Sequence, residues 1–131
     1  MTALLDTNVL VRHFTGAPPE QARRATAFLR AAAPGELLFL DLVAAELVFV
    51  LQSVYRQPRA TVARLLRAVL ALPAVRSDHA RLLHRTIELY EGGRHFTDAY
   101  LIATAEAQAI HAIVSFDRGI RDLPDVRRIE P

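Results

Sequence analysis

Short apolar runs alternate with longer segments of helical spacing along the whole of this 131-residue chain. Residues 3–6, Ala-Leu-Leu-Asp, have the length and flanks of a buried strand that ends at an acid, Asp6. Pro18 and Pro19 suit a helix's first turn, and apolar spacing continues from them to residue 33. Pro34 and Gly35 then break it. Residues 37–40, Leu-Leu-Phe-Leu, repeat the buried-strand pattern and lead into Asp41. A helix is predicted over 42–55, stopped before Pro58, and another over 61–72 with Arg64 and Arg67 on its polar side. Residues 73–76 make a weaker strand. Ser77 or Asp78 can cap a helix that ends at Gly92 and Gly93, and a further helix begins near Asp98. Residues 112–116 form a third strong strand with Asp117 after it, and an edge strand falls near 126–129.

Strands separated by helices require crossovers that leave a parallel sheet covered on both faces. The expected fold is therefore α/β, a three-layer α/β/α sandwich around a central parallel sheet, in one domain spanning 1–131. Ligands of such sheets sit beyond the carboxyl ends of the strands. Asp6, Asp41 and Asp117 all follow strands, so the three are predicted to point toward that one edge.

Composition narrows the class. Hydrophobic residues make up 52% of the chain, too many for a disordered segment. No apolar run approaches the roughly 20 residues that span a bilayer. The opening Met-Thr-Ala-Leu-Leu lacks a basic leader and a cleavage pattern, so no export is expected. Cysteine is absent, which excludes thiolate metal sites and fits a reducing cytoplasm. All 16 basic residues are arginines, and the net charge of +2 permits a nucleic-acid partner without requiring one. Guanidinium groups suit bidentate phosphate contacts and stacking on bases. Arg12, Arg94 and Arg118 flank the acidic motifs; each reads first as a solvated arginine and second as a phosphate contact.

The acids carry the candidate chemistry. Asp41 makes an ordinary helix N-cap and is left outside the site. Glu46 lies mid-helix and shares its face with Leu42, Val43, Phe49 and Val50, so its carboxylate is expected to be partly desolvated. Burying it unpaired is costly or raises its pKa, and an ion pair with arginine is the structural alternative. Asp98 falls in a first helical turn, where a carboxylate meets the helix dipole favourably. Leu101 and Ile102, three and four residues on, place it on an inward stripe. Asp117 precedes Arg118 and Gly119, a turn pattern, and alternates with Ser115. Four converging carboxylates would repel one another, and a hard divalent cation removes that conflict. An all-oxygen donor set points to Mg²⁺ or Mn²⁺, ions that activate water and clamp the oxygens of an in-line phosphoryl displacement. The five histidines, His13, His79, His84, His95 and His111, offer no metal pair at helical spacing and read as surface or packing residues. No Gly-rich phosphate loop or nucleophile elbow is present.

The segments Leu-Leu-Asp-Thr-Asn-Val-Leu-Val, Glu46 in the helix after the second strand, Phe-Thr-Asp-Ala-Tyr-Leu-Ile-Ala-Thr-Ala and Ile-Val-Ser-Phe-Asp-Arg-Gly occur in the order and spacing of PIN-domain ribonucleases. In length the chain most resembles the VapC-type toxins of bacterial type II toxin–antitoxin pairs. The resemblance implies a cytoplasmic, Mg²⁺-dependent endoribonuclease, with Mn²⁺ as a substitute. Asp6 and Asp98 match the primary metal ligands, with Glu46 and Asp117 completing an acidic quartet. Thr7, Asn8 and Ser115 match residues that orient those acids. It also implies an RNA substrate, a cognate antitoxin and a homodimer. The helix over 42–55 is apolar almost all round; one face would cover the sheet and leave Leu47, Val48 or Leu51 for a partner. Packing against the helix over 61–72 is the alternative.

Two motifs depart from the family's usual pattern. Gly119 and Ile120 stand where members often carry an acid and an aromatic, and Tyr100 stands where leucine is frequent. The rival readings are a catalytically degenerate PIN-like protein-binding module and a receiver-like phosphoryl-transfer domain. The second depends on a lysine that this chain lacks.

Overall fold

Strand pairing in this protein is parallel throughout the named strands, as seen in a computed structural model that describes residues 1–120 and 123–131. Two compact units divide the chain, Met1–Ala80 and Arg81–Pro131.

In the first unit, β1 (Ala3–Leu4), β2 (Leu37–Leu38) and β3 (Val75–Arg76) form a sheet in that order. Ala3 pairs with Leu37, and Leu37 with Val75. The strands are shorter than the apolar runs that mark them, because the chain must leave the sheet to begin a helix. Asp6 is already the N-cap of α1 (Thr7–Thr15), and Leu40 the N-cap of α3 (Asp41–Phe49). Leu5, Leu37 and Phe39 are buried, whereas Leu4 is 68% exposed, so β1 is not the fully buried strand expected.

Helix α1 fills a segment that apolar spacing left unassigned. It starts on the extended backbone of Asp6 and ends at Gly16, whose φ of 71° is a left-handed conformation that favours glycine. There the Gly16 N–H donates to the Arg12 carbonyl at 2.9 Å. α1 packs on α2 (Pro19–Ala31), burying Leu10 and Val11 on the first helix and Ala22, Ala25 and Leu29 on the second. Pro19 occupies the first turn of α2, where its missing N–H removes no helical bond.

The single helix expected over 42–55 is α3 followed by a π-helical turn, Val50–Val54, in which the Tyr55 N–H reaches back to the Val50 carbonyl. Ala44, Leu47, Val48 and Leu51 face inward, and both α3 and the π turn pack against α4 (Arg59–Ala71). The residues expected to be free for a partner, Leu47, Val48 and Leu51, are thus core. Leu42 and Phe49 are the exposed ones, at 77% and 64%. Apolar side chains surround α3 almost completely, so periodicity could not say which stripe would turn inward.

In the second unit, α5 (Ala80–Glu91) and α6 (Phe96–Ala107) precede β4 (Ala112–Val114) and β5 (Arg127–Ile129), which pair with Ala112 opposite Arg127. Ile102, Ala105, Ile113, Ile120 and Val126 form its buried cluster. Val114 is exposed, so β4 also has an open face. Arg85 on α5 donates to both carboxylate oxygens of Glu106 on α6, at 2.9 and 3.1 Å. The Tyr90 and Phe96 rings meet edge to face with centroids 5.9 Å apart, which anchors the start of α6.

The reversed face of α3 can be checked by denaturant unfolding. Leu47→Ala is expected to cost about 2–5 kcal/mol, and Leu42→Ala no more than about 0.5 kcal/mol. Equal costs would contradict the assignment.

Candidate acidic site

Each unit holds two of the four acids singled out by the sequence. In the first unit both are tied to one residue, Thr7. The Thr7 backbone N–H donates to Oδ1 of Asp6 at 2.8 Å, and its hydroxyl donates to Oε2 of Glu46 at 3.0 Å. Thr7 is only 3% exposed, while both carboxylates are exposed. One buried residue thus holds two solvent-facing carboxylates, the N-cap Asp6 through its backbone N–H and Glu46 on α3 through its hydroxyl. Asp6 also stands at the positive end of the α1 dipole.

Glu46 is the main correction within the site. It was expected on an inward, desolvated face, yet it is exposed together with Leu42 and Phe49. Its partner is the Thr7 hydroxyl rather than an arginine. No desolvation conflict arises, and the carboxylate keeps Oε1 open.

The second unit brings Asp98 and Asp117 together. Asp98 lies in the first turn of α6, whose N-cap is His95 rather than Phe96 or Thr97. Its neighbour Ala99 and the next-turn Ile102 are buried, whereas Leu101 is 43% exposed, so Asp98 stands at the margin of the inward face. Partial burial is the main cause that raises the Asp98 pKa, and the Asp117 carboxylate raises it further, by its charge and by accepting a hydrogen bond from the protonated Asp98; His95 and Arg94 pull it down. A like charge nearby opposes ionisation. A divalent cation would relieve that opposition.

Asp117 sits in a turn rather than on an extended strand, because β4 ends at Val114. Its N–H donates to the Ser115 hydroxyl at 2.9 Å, and its Oδ1 accepts from the Gly119 N–H at 2.8 Å. A Cβ at position 119 would lie 3.0 Å from that same Oδ1. Glycine permits the close backbone approach, and Ile120 beside it is buried in the unit's core. Gly119 and Ile120, which depart from the common family pattern, therefore each have a local structural role.

The supporting residues are placed unequally. Thr7 contacts both acids of its unit, and Ser115 contacts the backbone of Asp117 rather than its carboxylate. Asn8 is exposed, and its carbonyl accepts from Arg12 at 3.4 Å. Among the described residues, no group of three or more His, Asp or Glu is arranged to hold a metal ion. The donor chemistry still fits a hard cation. It offers carboxylate oxygens with open lone pairs, and it includes the like-charged neighbours Asp98 and Asp117.

Spacing along the chain missed one contact. His79 Nδ1 lies 2.8 Å from Asp41 Oδ2 across 38 positions, a pairing of the expected N-cap acid with a histidine read as a surface or packing residue. Asp41 begins α3 instead of capping it.

A family model described as PIN domain matches residues 3–126. No curated protein matches the chain.

The raised pKa of Asp98 fixes a sign. Its neutral form is favoured in the folded, metal-free protein, so stability falls as pH rises from the unfolded value near 4 through the higher folded value. Thermal unfolding in EDTA is expected to show this decline, and Asp98→Asn to flatten it. In ¹³C NMR titrations, Asp117→Asn is expected to lower the Asp98 pKa without returning it to the ordinary value, since burial remains. A wild-type Asp98 titrating at the ordinary value would refute the pairing.

Proposed function

Because the chain belongs to the PIN domain family, we propose that it is a Mg²⁺-dependent endoribonuclease and the toxin of a type II toxin–antitoxin pair. PIN domains are generally nucleases and typically use divalent metals. The α/β fold with parallel strands is consistent with the three-layer α/β/α sandwich of that family. The observation that carries the finer reading is the juxtaposition of Asp98 and Asp117, an arrangement of like charges that a cation would relieve.

In this reading Asp6 and Asp98 are the main ligands, with Glu46 and Asp117 completing the set. The grouping of all four around metal rests on their match to the family's motifs. A bound Mg²⁺ or Mn²⁺ would supply Lewis acidity toward a phosphodiester and lower the pKa of water. The chain's own residues do the positioning. Thr7 holds Asp6 through its N–H and Glu46 through its hydroxyl, so one buried residue sets the direction of two ligands. Ser115 and Gly119 fix the turn that presents Asp117. Tyr90 packs on Phe96 and so steadies the helix start that carries Asp98.

The partner assignments are part of the same proposal. Leu42, Phe49 and Val54 expose apolar surface along α3 and the π turn, which supports coverage by an antitoxin or a second copy. No helix among the described residues is long and apolar enough to cross a membrane, and the absence of cysteine supports a cytoplasmic setting.

Cleavage of structured and single-stranded RNAs in Mg²⁺, Mn²⁺ or EDTA tests the reaction. Activity is expected only with metal and is expected to disappear in Asp98→Asn. Thr7→Val, which keeps the N–H and removes the hydroxyl, is expected to lower activity about 10- to 100-fold, with recovery in Thr7→Ser. Cleavage in EDTA, or full activity in Asp98→Asn, would sink the assignment.

A further inference from the structure

A cleft of about 560 Å³ between α1 and α2 begins two residues from Asp6. Asn8, Val9 and Arg12 line it from α1; Gln21, Arg24 and Phe28 line it from α2. The last three stand at positions i, i+3 and i+7, one stripe of the helix. Phe28 is 57% exposed, an unusual setting for a phenyl ring with two arginines beside it.

The charges in the cleft are unspent. From residue 7 to residue 33 the chain has four arginines and one carboxylate, Glu20. Among the described residues neither Arg12 nor Arg24 forms an ion pair. By contrast, Arg85 is held by Glu88 and Glu106, and Arg128 by Glu130. Arg12 is held instead by neutral acceptors, the Gln21 side-chain oxygen and the Asn8 carbonyl. Its guanidinium is positioned without being neutralised.

We infer that this cleft binds a single-stranded segment of RNA, with Arg12 and Arg24 on successive phosphates and Phe28 stacked on an unpaired base. The inference rests on the nuclease reading for its choice of RNA and adds where the strand runs and in what form. Positioned guanidinium groups beside an exposed ring are the two elements that grip single strands, a backbone contact and a stacking platform. A duplex would satisfy the arginines but offer no open base to the ring. An acidic protein segment is the rival occupant, and it would leave the ring's role in base stacking unexplained.

The test uses the full chain in EDTA, which suppresses cleavage, and a fluorescent oligouridylate read by anisotropy, alone or annealed to oligoadenylate. Arg12→Gln and Arg24→Gln are each expected to weaken single-strand binding about fivefold and to reduce the salt slope by about 0.7. Phe28→Leu is expected to weaken single-strand binding about fivefold or more while leaving duplex binding unchanged. Arg64→Gln, an exposed arginine on α4, controls for net charge and is expected to change neither. Unaltered affinity in the cleft variants would overturn the proposal. So would an equal loss from Arg64→Gln, or cleft-dependent binding of a polyglutamate peptide with RNA affinity untouched. Separate cleavage assays in Mg²⁺ keep the two readings apart. RNA bound in the cleft by a chain that does not cut defeats the nuclease and leaves the cleft. Cutting that is indifferent to the cleft variants defeats the cleft and leaves the nuclease.

Discussion

A single buried threonine organises the acidic end of residues 1–80. Thr7 must be inside, because α1 starts where β1 gives out and its first turn packs toward α3. Once buried, its hydroxyl needs an acceptor, and Glu46 supplies one at 3.0 Å. Its N–H, one of the unpaired donors of a helix start, is taken by Asp6. Capping, packing and the direction of two carboxylates are thus one arrangement. Changing any part of it moves the others.

The second unit reaches a related end by different means. There the like charges of two neighbouring carboxyl groups oppose each other, and a turn closed by the Gly119 N–H holds Asp117 in place. Burial opposes ionisation of Asp98, while His95 and Arg94 favour it, so its charge state is balanced between environments. Such a balance makes the pair responsive to a cation, since a positive charge acts on both carboxyl groups at once.

Much of this was legible from residue order. Apolar runs at 37–40 and 112–116 located β2 and β4, and Pro19, Pro34 and Gly35 bounded α2 closely. The acids stood out because each lay at the end of an apolar pattern or within one. Legibility failed where the pattern carried no contrast. α3 has apolar residues on nearly every side, so the face bearing Glu46 was read inward when it points out. Nine-residue α1 was passed over because its start coincides with a motif already claimed for chemistry. The π turn depends on a backbone bond five residues long, which side-chain spacing does not encode. The Asp41–His79 contact joins positions 38 apart and has no local signature.

The choice of arginine in the α1–α2 cleft has a consequence for how the protein meets changing conditions. Guanidinium groups stay protonated at any pH a cell reaches, so Arg12 and Arg24 present a constant charge. The Asp98 carboxyl does not. Acidity therefore acts on one part of the molecule and leaves the other indifferent: the charge of the cleft is constant, and the charge at the head of α6 follows pH.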